Sequence, residues 1–126
     1  MVNERFALYE EIETEQRKLC STYGVAFQRS APDTKVGIAL DTLVRVPVNG
    51  LRHPPEGDTN GWYIWGGEDL SSSPDFFQPL HTVHLVTRLP HIVKFLGLPP
   101  GYRFLVAGDY VDVWYDQDLL SLPAGR

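Results

Sequence analysis

Apolar residues recur at steps of three and four through the first 24 positions, which is the spacing of one face of an α-helix. The apolar positions are Phe6, Tyr9, Ile12, Leu19, Cys20 and Tyr23. Charged side chains fill the opposite side. Asn3 fits an N-cap, and Gly24 fits a C-terminal stop. The pattern therefore predicts an amphipathic helix over residues 4–24.

Short apolar stretches between turn-forming residues predict strands in the rest of the chain. They are KVGIAL at 35–40, TLVRVPV at 42–48 and GWYIWGG at 61–67. The stretch NGLRHPPEGDTN, at 49–60, is dense in turn formers and predicts a loop. GYRFLVAG and VDVWYD, on either side of a GDY turn, predict a hairpin, and the tail LLSLPAGR is expected to be loosely held.

Two short helices complete the predicted elements. Ser73 would cap the first, with Pro74 at its first position, and the second would begin at Pro90 and end at Gly97. The order of helix, strands, short helices and hairpin differs from an alternating βαβ pattern. We therefore predict an α+β fold with a mainly antiparallel sheet, on which the N-terminal helix and the short helices pack. A length of 126 residues fits one domain, residues 1–126.

Composition restricts the partner and the compartment. The net charge of −5 argues against nucleic acid as a partner, because phosphate binding needs clustered lysine and arginine. No segment approaches the roughly 20 apolar residues of a transmembrane helix, and the N-terminus lacks the apolar run of a signal peptide. We therefore expect a cytoplasmic protein that does not bind a membrane. Cys20, the only cysteine, is expected to be a core thiol.

The residues that most often carry chemistry do not form a regular motif. His81 and His84 form an H-x-x-H pair, but the further ligands that a zinc site needs are not at suitable spacing. The serines at 71–73 lack a nucleophile elbow, and the glycine-rich pieces match no cofactor fingerprint. No cofactor is therefore expected. A metal-dependent hydrolase that uses His81, His84 and a nearby carboxylate stays open as an alternative.

Alternation along GWYIW places Trp62 and Ile64 on one side of the strand and Tyr63 and Trp65 on the other. Large aromatic side chains on a solvent-facing side are typical anchors of protein interfaces. If helices cover both sides, all of these rings are core. A small-molecule or peptide pocket lined by Trp62 and Trp65 is a further alternative.

Two stretches carry acidic residues and neither lysine nor arginine. They run from His53 to Thr87 and from Asp109 to Asp118. If their strands lie near each other, they form an acidic surface with aromatic residues, which suits a basic protein partner. A solvated acidic face is the simpler alternative. The predicted partner-binding residues are Trp65, Glu68, Asp69, Asp75, Asp109, Asp112 and Trp114.

The region from Gly61 to about Asp116 contains four motifs: the G-W-x-x-x-x-G-E start, the LHTVHL segment, the P-x-I-x-x-x-L helix and the LPPGYRF close. In these motifs the region resembles the immunity protein 33 family. These are small bacterial domains associated with polymorphic-toxin and secretion-system loci, including type VI secretion. The resemblance implies a protein that binds a cognate toxin and blocks it, without enzymatic activity.

Overall fold

The computed structural model describes residues 4–121, and of residues 4–6 it describes the backbone alone. Helix α1 spans Glu4–Tyr23, as the apolar spacing predicted. Its buried positions are Gln16 and Cys20, whereas Tyr23 is exposed, so the prediction that Tyr23 lies on the buried face is wrong. The proposed cap Asn3 and the side chain of Phe6 lie outside the described residues. Cys20 is a buried thiol, as predicted, and lies 3.3 Å from the Gly97 carbonyl oxygen.

Six strands form one sheet. They are β1 (Lys35–Ile38), β2 (Val48–Arg52), β3 (Thr59–Gly66), β4 (Gln78–His81), β5 (Tyr102–Ala107) and β6 (Tyr110–Tyr115). Their order is β4-β1-β3-β2-β5-β6. The β1–β3 pair is parallel and the other four pairs are antiparallel. The α+β class and the mainly antiparallel sheet are therefore confirmed, and so is the hairpin.

Strand β2 lies where the turn formers predicted a loop. The predicted strand at 42–48 is wrong, because residues 40–42 form a 3₁₀ turn and the chain stays irregular until Val48. The predicted loop at 49–60 is wrong over 49–52 and at 59–60. Gly50 explains how β2 fits, since a Cβ on Gly50 would lie 2.1 Å from the ring of Phe104. Any side chain at position 50 would clash with that ring. Because glycine is uncommon inside strands, the same residue makes the sequence pattern look like a loop.

Short helical segments connect and cover the strands. They are α2 (Leu85–Arg88) and 3₁₀ segments at Leu40–Thr42, Thr82–His84, Pro90–Phe95 and Gln117–Leu120. The helical start predicted at Pro90 is confirmed, although the segment winds as a 3₁₀ helix. The helix predicted after Ser73 is wrong: the Phe76 N–H donates to the Ser73 carbonyl oxygen at 3.1 Å and closes a single turn.

Each face of the sheet has its own core. The helix-covered face carries Trp62 and Ile64, which pack with Cys20 of α1 and with apolar residues of the 85–96 region. The loop-covered face carries Trp65 and Leu51, covered by the 68–77 loop and by the 117–120 segment. The C-terminal part is thus packed as far as Leu119, which is buried, and not loosely held there; residues 122–126 lie outside the described residues.

Arg52, at the end of β2, is fully buried beneath the helix-covered face. Its Nε donates to the Asn60 carbonyl oxygen at 2.9 Å. Its Nη1 donates to the carbonyl oxygens of Gln28 at 2.9 Å and Leu98 at 2.8 Å. Burial lowers the pKa of Arg52 to about 10, so the guanidinium stays charged at neutral pH. One side chain therefore joins β3, the connection after α1 and the end of the 90–98 region.

Candidate functional site

One acidic stretch leaves the sheet after β3, and the other enters it at the start of β6, at the same end of the sheet. In the register, Val48 lies opposite both Gly66 and Val106. The beginning of β2 therefore lies between the end of β3 and the end of β5. The two acidic stretches meet this end on β3 and on β6, which β2 and β5 separate. The segments at this end are 41–47, 67–70 and 107–112, which we call the acidic end. It carries five carboxylate side chains and one cationic side chain, Arg45. The carboxylates are Asp41, Glu68, Asp69, Asp109 and Asp112.

Five of the predicted contact residues are exposed carboxylates. They are Glu68, Asp69, Asp75, Asp109 and Asp112. None forms an ion pair with any side chain that the structure describes. Asp75 stands apart from the other four, because it lies six residues after Asp69, near the end of the loop that leads to β4. The carboxylates around the acidic end are thus free to take part in electrostatic contacts with a partner.

Trp65 does not belong to this surface. It is only 3% exposed and packs with Leu51 and Leu119 in the core of the loop-covered face. The ring of Phe77 meets it edge-on at 6.2 Å between centroids. The prediction that Trp65 contacts a partner is therefore wrong. The reason is that the loop after β3 folds back over its own strand and covers the ring.

Trp114 lies half-buried on β6, beside a cation from the neighbouring strand. The Arg103 guanidinium carbon is 5.4 Å from the Trp114 ring centroid. The same guanidinium donates to Asp116 Oδ2 at 3.1 Å. The stretch from 109 to 118 therefore lacks a base in sequence, yet it acquires one from β5. Asp112, opposite Leu105, keeps its charge uncompensated.

Apolar side chains that the pattern assigned to a strand are exposed at the acidic end. Val44 is 92% exposed and Val46 is 73% exposed, in the irregular segment that leads into β2. Tyr110, at the start of β6, is 60% exposed. Exposed apolar groups beside unpaired carboxylates are typical of an interface that uses both kinds of contact. The apolar residues of TLVRVPV are visible in the sequence, but their alternation predicts a strand and not an exposed segment.

The two alternative functions, a metal-dependent hydrolase and a pocket lined by Trp62 and Trp65, find little support in the described residues. The rings of His81 and His84 are 6.4 Å apart, and both side chains are exposed. Among the side chains that the structure describes, no group of three or more histidine, cysteine, aspartate or glutamate residues is placed to hold a metal ion. Trp62 and Trp65 are both buried, and they point to opposite faces of the sheet. A single pocket lined by both rings is therefore ruled out.

Burial perturbs the titration of two groups under the loop-covered face. It lowers the pKa of His53, although the Leu119 carbonyl that accepts from the ring acts in the opposite direction. It raises the pKa of Tyr63, whose ring meets His53 edge-on at 5.6 Å. Both side chains belong to the core of this face and lie away from the acidic end.

Comparison with known proteins identifies one family. A family model described as the Imm33-like domain matches residues 15–116, from the middle of α1 to the residue that follows β6. No curated protein and no solved structure matches the chain. None of the helices in the described part of the chain has the length and apolar character needed to cross a bilayer.

Proposed function

The chain belongs to the Imm33-like domain family, and from this premise we propose that it is a bacterial immunity protein that neutralises a cognate protein toxin by direct stoichiometric binding. The observation that carries the proposal is the family match itself, which includes all six strands of the sheet. In this role the protein acts by binding in the cytoplasm, without a cofactor, nucleic acid or a catalytic step. The toxin is one encoded at a polymorphic-toxin or type VI secretion locus.

The mechanism that we propose is occlusion of a basic surface on the toxin. Proteins that act on nucleic acids or other anionic substrates present lysine and arginine at their clefts. Unpaired carboxylates on the immunity protein attract such a cleft over a distance and compete with its substrate after contact. Four of the five carboxylates of the acidic end were predicted as contacts and support this mechanism, namely Glu68, Asp69, Asp109 and Asp112. Asp75 extends the same charge along the 68–77 loop.

Apolar contacts supply the affinity that exposed charges do not. Exposed ion pairs contribute little because water and salt screen them, whereas buried aromatic rings often dominate an interface. Val44, Val46 and Tyr110 are the most exposed of the large apolar residues of the acidic end, and the half-buried Trp114 extends this set along β6. We propose that these side chains take the anchoring role that Trp65 cannot fill.

The test is titration calorimetry with the candidate toxin encoded beside this chain's gene. We expect one-to-one binding that weakens as salt is added, because screening shortens the range of the electrostatic attraction. The variant Glu68→Ala, Asp69→Ala, Asp112→Ala should bind at least about tenfold more weakly. The absence of binding by the unaltered chain would refute the proposal.

A matched control separates the position of the charges from their number. Glu10, Glu11 and Glu15 are exposed on α1, away from the sheet, and their replacement by alanine changes the net charge by the same amount. We expect that this triple variant binds the toxin with nearly the affinity of the unaltered chain. Equal loss in the two triple variants would mean that net charge alone matters, and that the acidic end is not the contact surface.

A further inference from the structure

The two edges of the sheet are protected to different extents. Strand β4, at one edge, has four residues, contains Pro79 and passes directly into a 3₁₀ turn. Strand β6, at the other edge, has six residues and contains neither proline nor lysine. Natural proteins usually shorten, charge or interrupt an exposed edge, because its unpaired N–H and C=O groups bind other strands. By these criteria β4 is a protected edge, whereas β6 is protected only by the charge of Asp112 and is otherwise open.

The hairpin fixes which backbone groups of β6 point outward. Its two-residue turn, with Gly108 at φ +60°, closes on the pair Ala107 and Tyr110. The Asp116 N–H donates to the Gly101 carbonyl oxygen at 2.7 Å at the other end of the hairpin. Hydrogen-bonded pairs alternate with non-bonded pairs along an antiparallel ladder. Residues 110, 112 and 114 therefore bond to β5.

The intervening residues of β6 direct their backbone groups away from the sheet. These residues are Val111, Val113 and Tyr115. No strand of the described residues lies on that side, because β6 ends the sheet order. Three N–H groups and three C=O groups are thus arranged at the spacing that an added strand requires.

The side chains of β6 provide contacts on both sides of an added strand. Tyr110 is 60% exposed and Trp114 is half-buried on the loop-covered face. Val111 is 41% exposed and Tyr115 is 50% exposed on the helix-covered face. Asp112 lies between Tyr110 and Trp114. An added strand would therefore meet apolar groups on both faces and one carboxylate.

Charge decides between the two candidate occupants, a second copy of this chain and a basic segment of another protein. Each copy carries Asp109, Asp112, Asp116 and Asp118 on or next to β6, and of these only Asp116 has a cationic partner among the described residues. Pairing of β6 with β6 of a second copy would bring two such sets of carboxylates together. Like charges across paired strands are destabilising, whereas a basic strand would be attracted.

We infer that β6 binds an extended, lysine- or arginine-bearing segment of the toxin as a seventh strand of the sheet. The inference rests on the proposed function, since it states how that partner docks. The backbone of the toxin segment pairs with Val111, Val113 and Tyr115, and a basic side chain of the segment lies against Asp112.

Amide hydrogen exchange, followed by NMR on the free chain and on its complex with the candidate toxin, tests the inference directly. The amides of Val111, Val113 and Tyr115 should exchange fast in the free chain and gain at least about tenfold protection in the complex. The amides of residues 110, 112 and 114 already bond to β5 and should be protected in both states. A gain of protection at every second residue is the pattern that strand addition alone produces.

A substitution gives a second readout. Val111→Pro removes one outward N–H while every bond to β5 stays, so β6 should still form. We expect that its toxin affinity falls at least about tenfold, and that Val111→Thr, which keeps the N–H, stays within about threefold. Circular dichroism and thermal unfolding of both variants verify that they are folded.

The outcomes separate this inference from the proposed function. A complex in which the amides of Val111, Val113 and Tyr115 gain no protection overturns the inference and leaves toxin binding intact. Equal affinity of Val111→Pro and Val111→Thr also overturns it. If the unaltered chain forms no complex with the toxin, the proposed function and the inference are both overturned. A dimer of this chain that protects the same three amides without toxin shows that the occupant is a second copy, and overturns the choice of a basic strand.

Discussion

Arg103 reaches from β5 across the hairpin and donates from Nη1 to Asp116 Oδ2 at 3.1 Å. This contact sets how much of the acidic charge on the hairpin remains for a partner. It neutralises Asp116, which also caps the 117–120 segment by accepting from the Asp118 N–H at 3.2 Å. Asp109 and Asp112 have no such partner among the described side chains. Of these three carboxylates, the two that remain free for binding are therefore the ones nearer the turn.

The first prediction concerns the double role of Asp116. Asp116→Ala removes a partly exposed ion pair and a cap, and each contributes about 1 kcal/mol or less. We expect that the free energy of unfolding falls by about 1–2 kcal/mol in urea denaturation. Asp118→Ala is the control, because the Asp118 side chain is exposed and forms no ion pair with a described side chain. Equal losses in the two variants would contradict the role assigned to Asp116.

The second prediction concerns Arg52. Arg52→Met fills a similar volume but leaves the carbonyl oxygens of Asn60, Gln28 and Leu98 without their donor. Buried acceptors without partners are costly, so the free energy of unfolding should fall by about 3 kcal/mol or more. Arg52→Lys should recover only part of this loss, because an ammonium group cannot reproduce the planar fork. Arg45→Met, at an exposed position, should change stability by less than about 0.5 kcal/mol.

The third prediction concerns pH. Burial lowers the pKa of His53 below its ordinary value, and nearby Arg103 acts in the same direction. The unfolded chain therefore takes up a proton at His53 at a higher pH than the folded chain does. As the pH falls through about 6.5, stability is lost until the folded-state pKa is reached.

Comparison of two chains isolates this effect from that of the carboxylates. The free energy of unfolding is measured at pH 7.5, 6.5 and 5.5 for the unaltered chain and for His53→Gln. We expect that the unaltered chain loses more stability over this range than the variant does. Parallel pH profiles would show that His53 does not titrate differently in the two states.

The fourth prediction separates a core tryptophan from an exposed tyrosine. Trp65→Phe should lower stability, because it shortens a ring that is packed against Leu51 and Phe77, yet it should leave toxin affinity unchanged. Tyr110→Ala should change stability by less than about 0.5 kcal/mol and weaken toxin binding by about 1 kcal/mol or more. Thermal unfolding and titration calorimetry on both variants give the comparison. The opposite pattern would restore Trp65 as the contact residue.

Much of the fold follows from local patterns of residues. The 3.6-residue period of 4–24 is enough for α1, since a helix is built from contacts within its own segment. The GDY turn is enough for the hairpin, because a two-residue turn with glycine matches the twist of adjacent strands. The same holds for β3, whose alternation correctly separated Trp62 from Trp65. The family resemblance was likewise present in short motifs from Gly61 onward, and the family model extends it back to residue 15.

Contacts between residues that are distant in the sequence determine the rest of the fold. The sequence pattern does not indicate strand β2, because position 50 is a glycine. That glycine leaves space for the ring of Phe104, a residue 54 positions further along the chain. The ring of Trp65 is covered because the 68–77 loop folds back on its own strand. Arg103 meets Asp116 because β5 and β6 pair in one register, which places a cation beside a stretch that has none in sequence. Register, close approach and loop packing depend on which distant residues meet, and local periodicity carries no information about that choice.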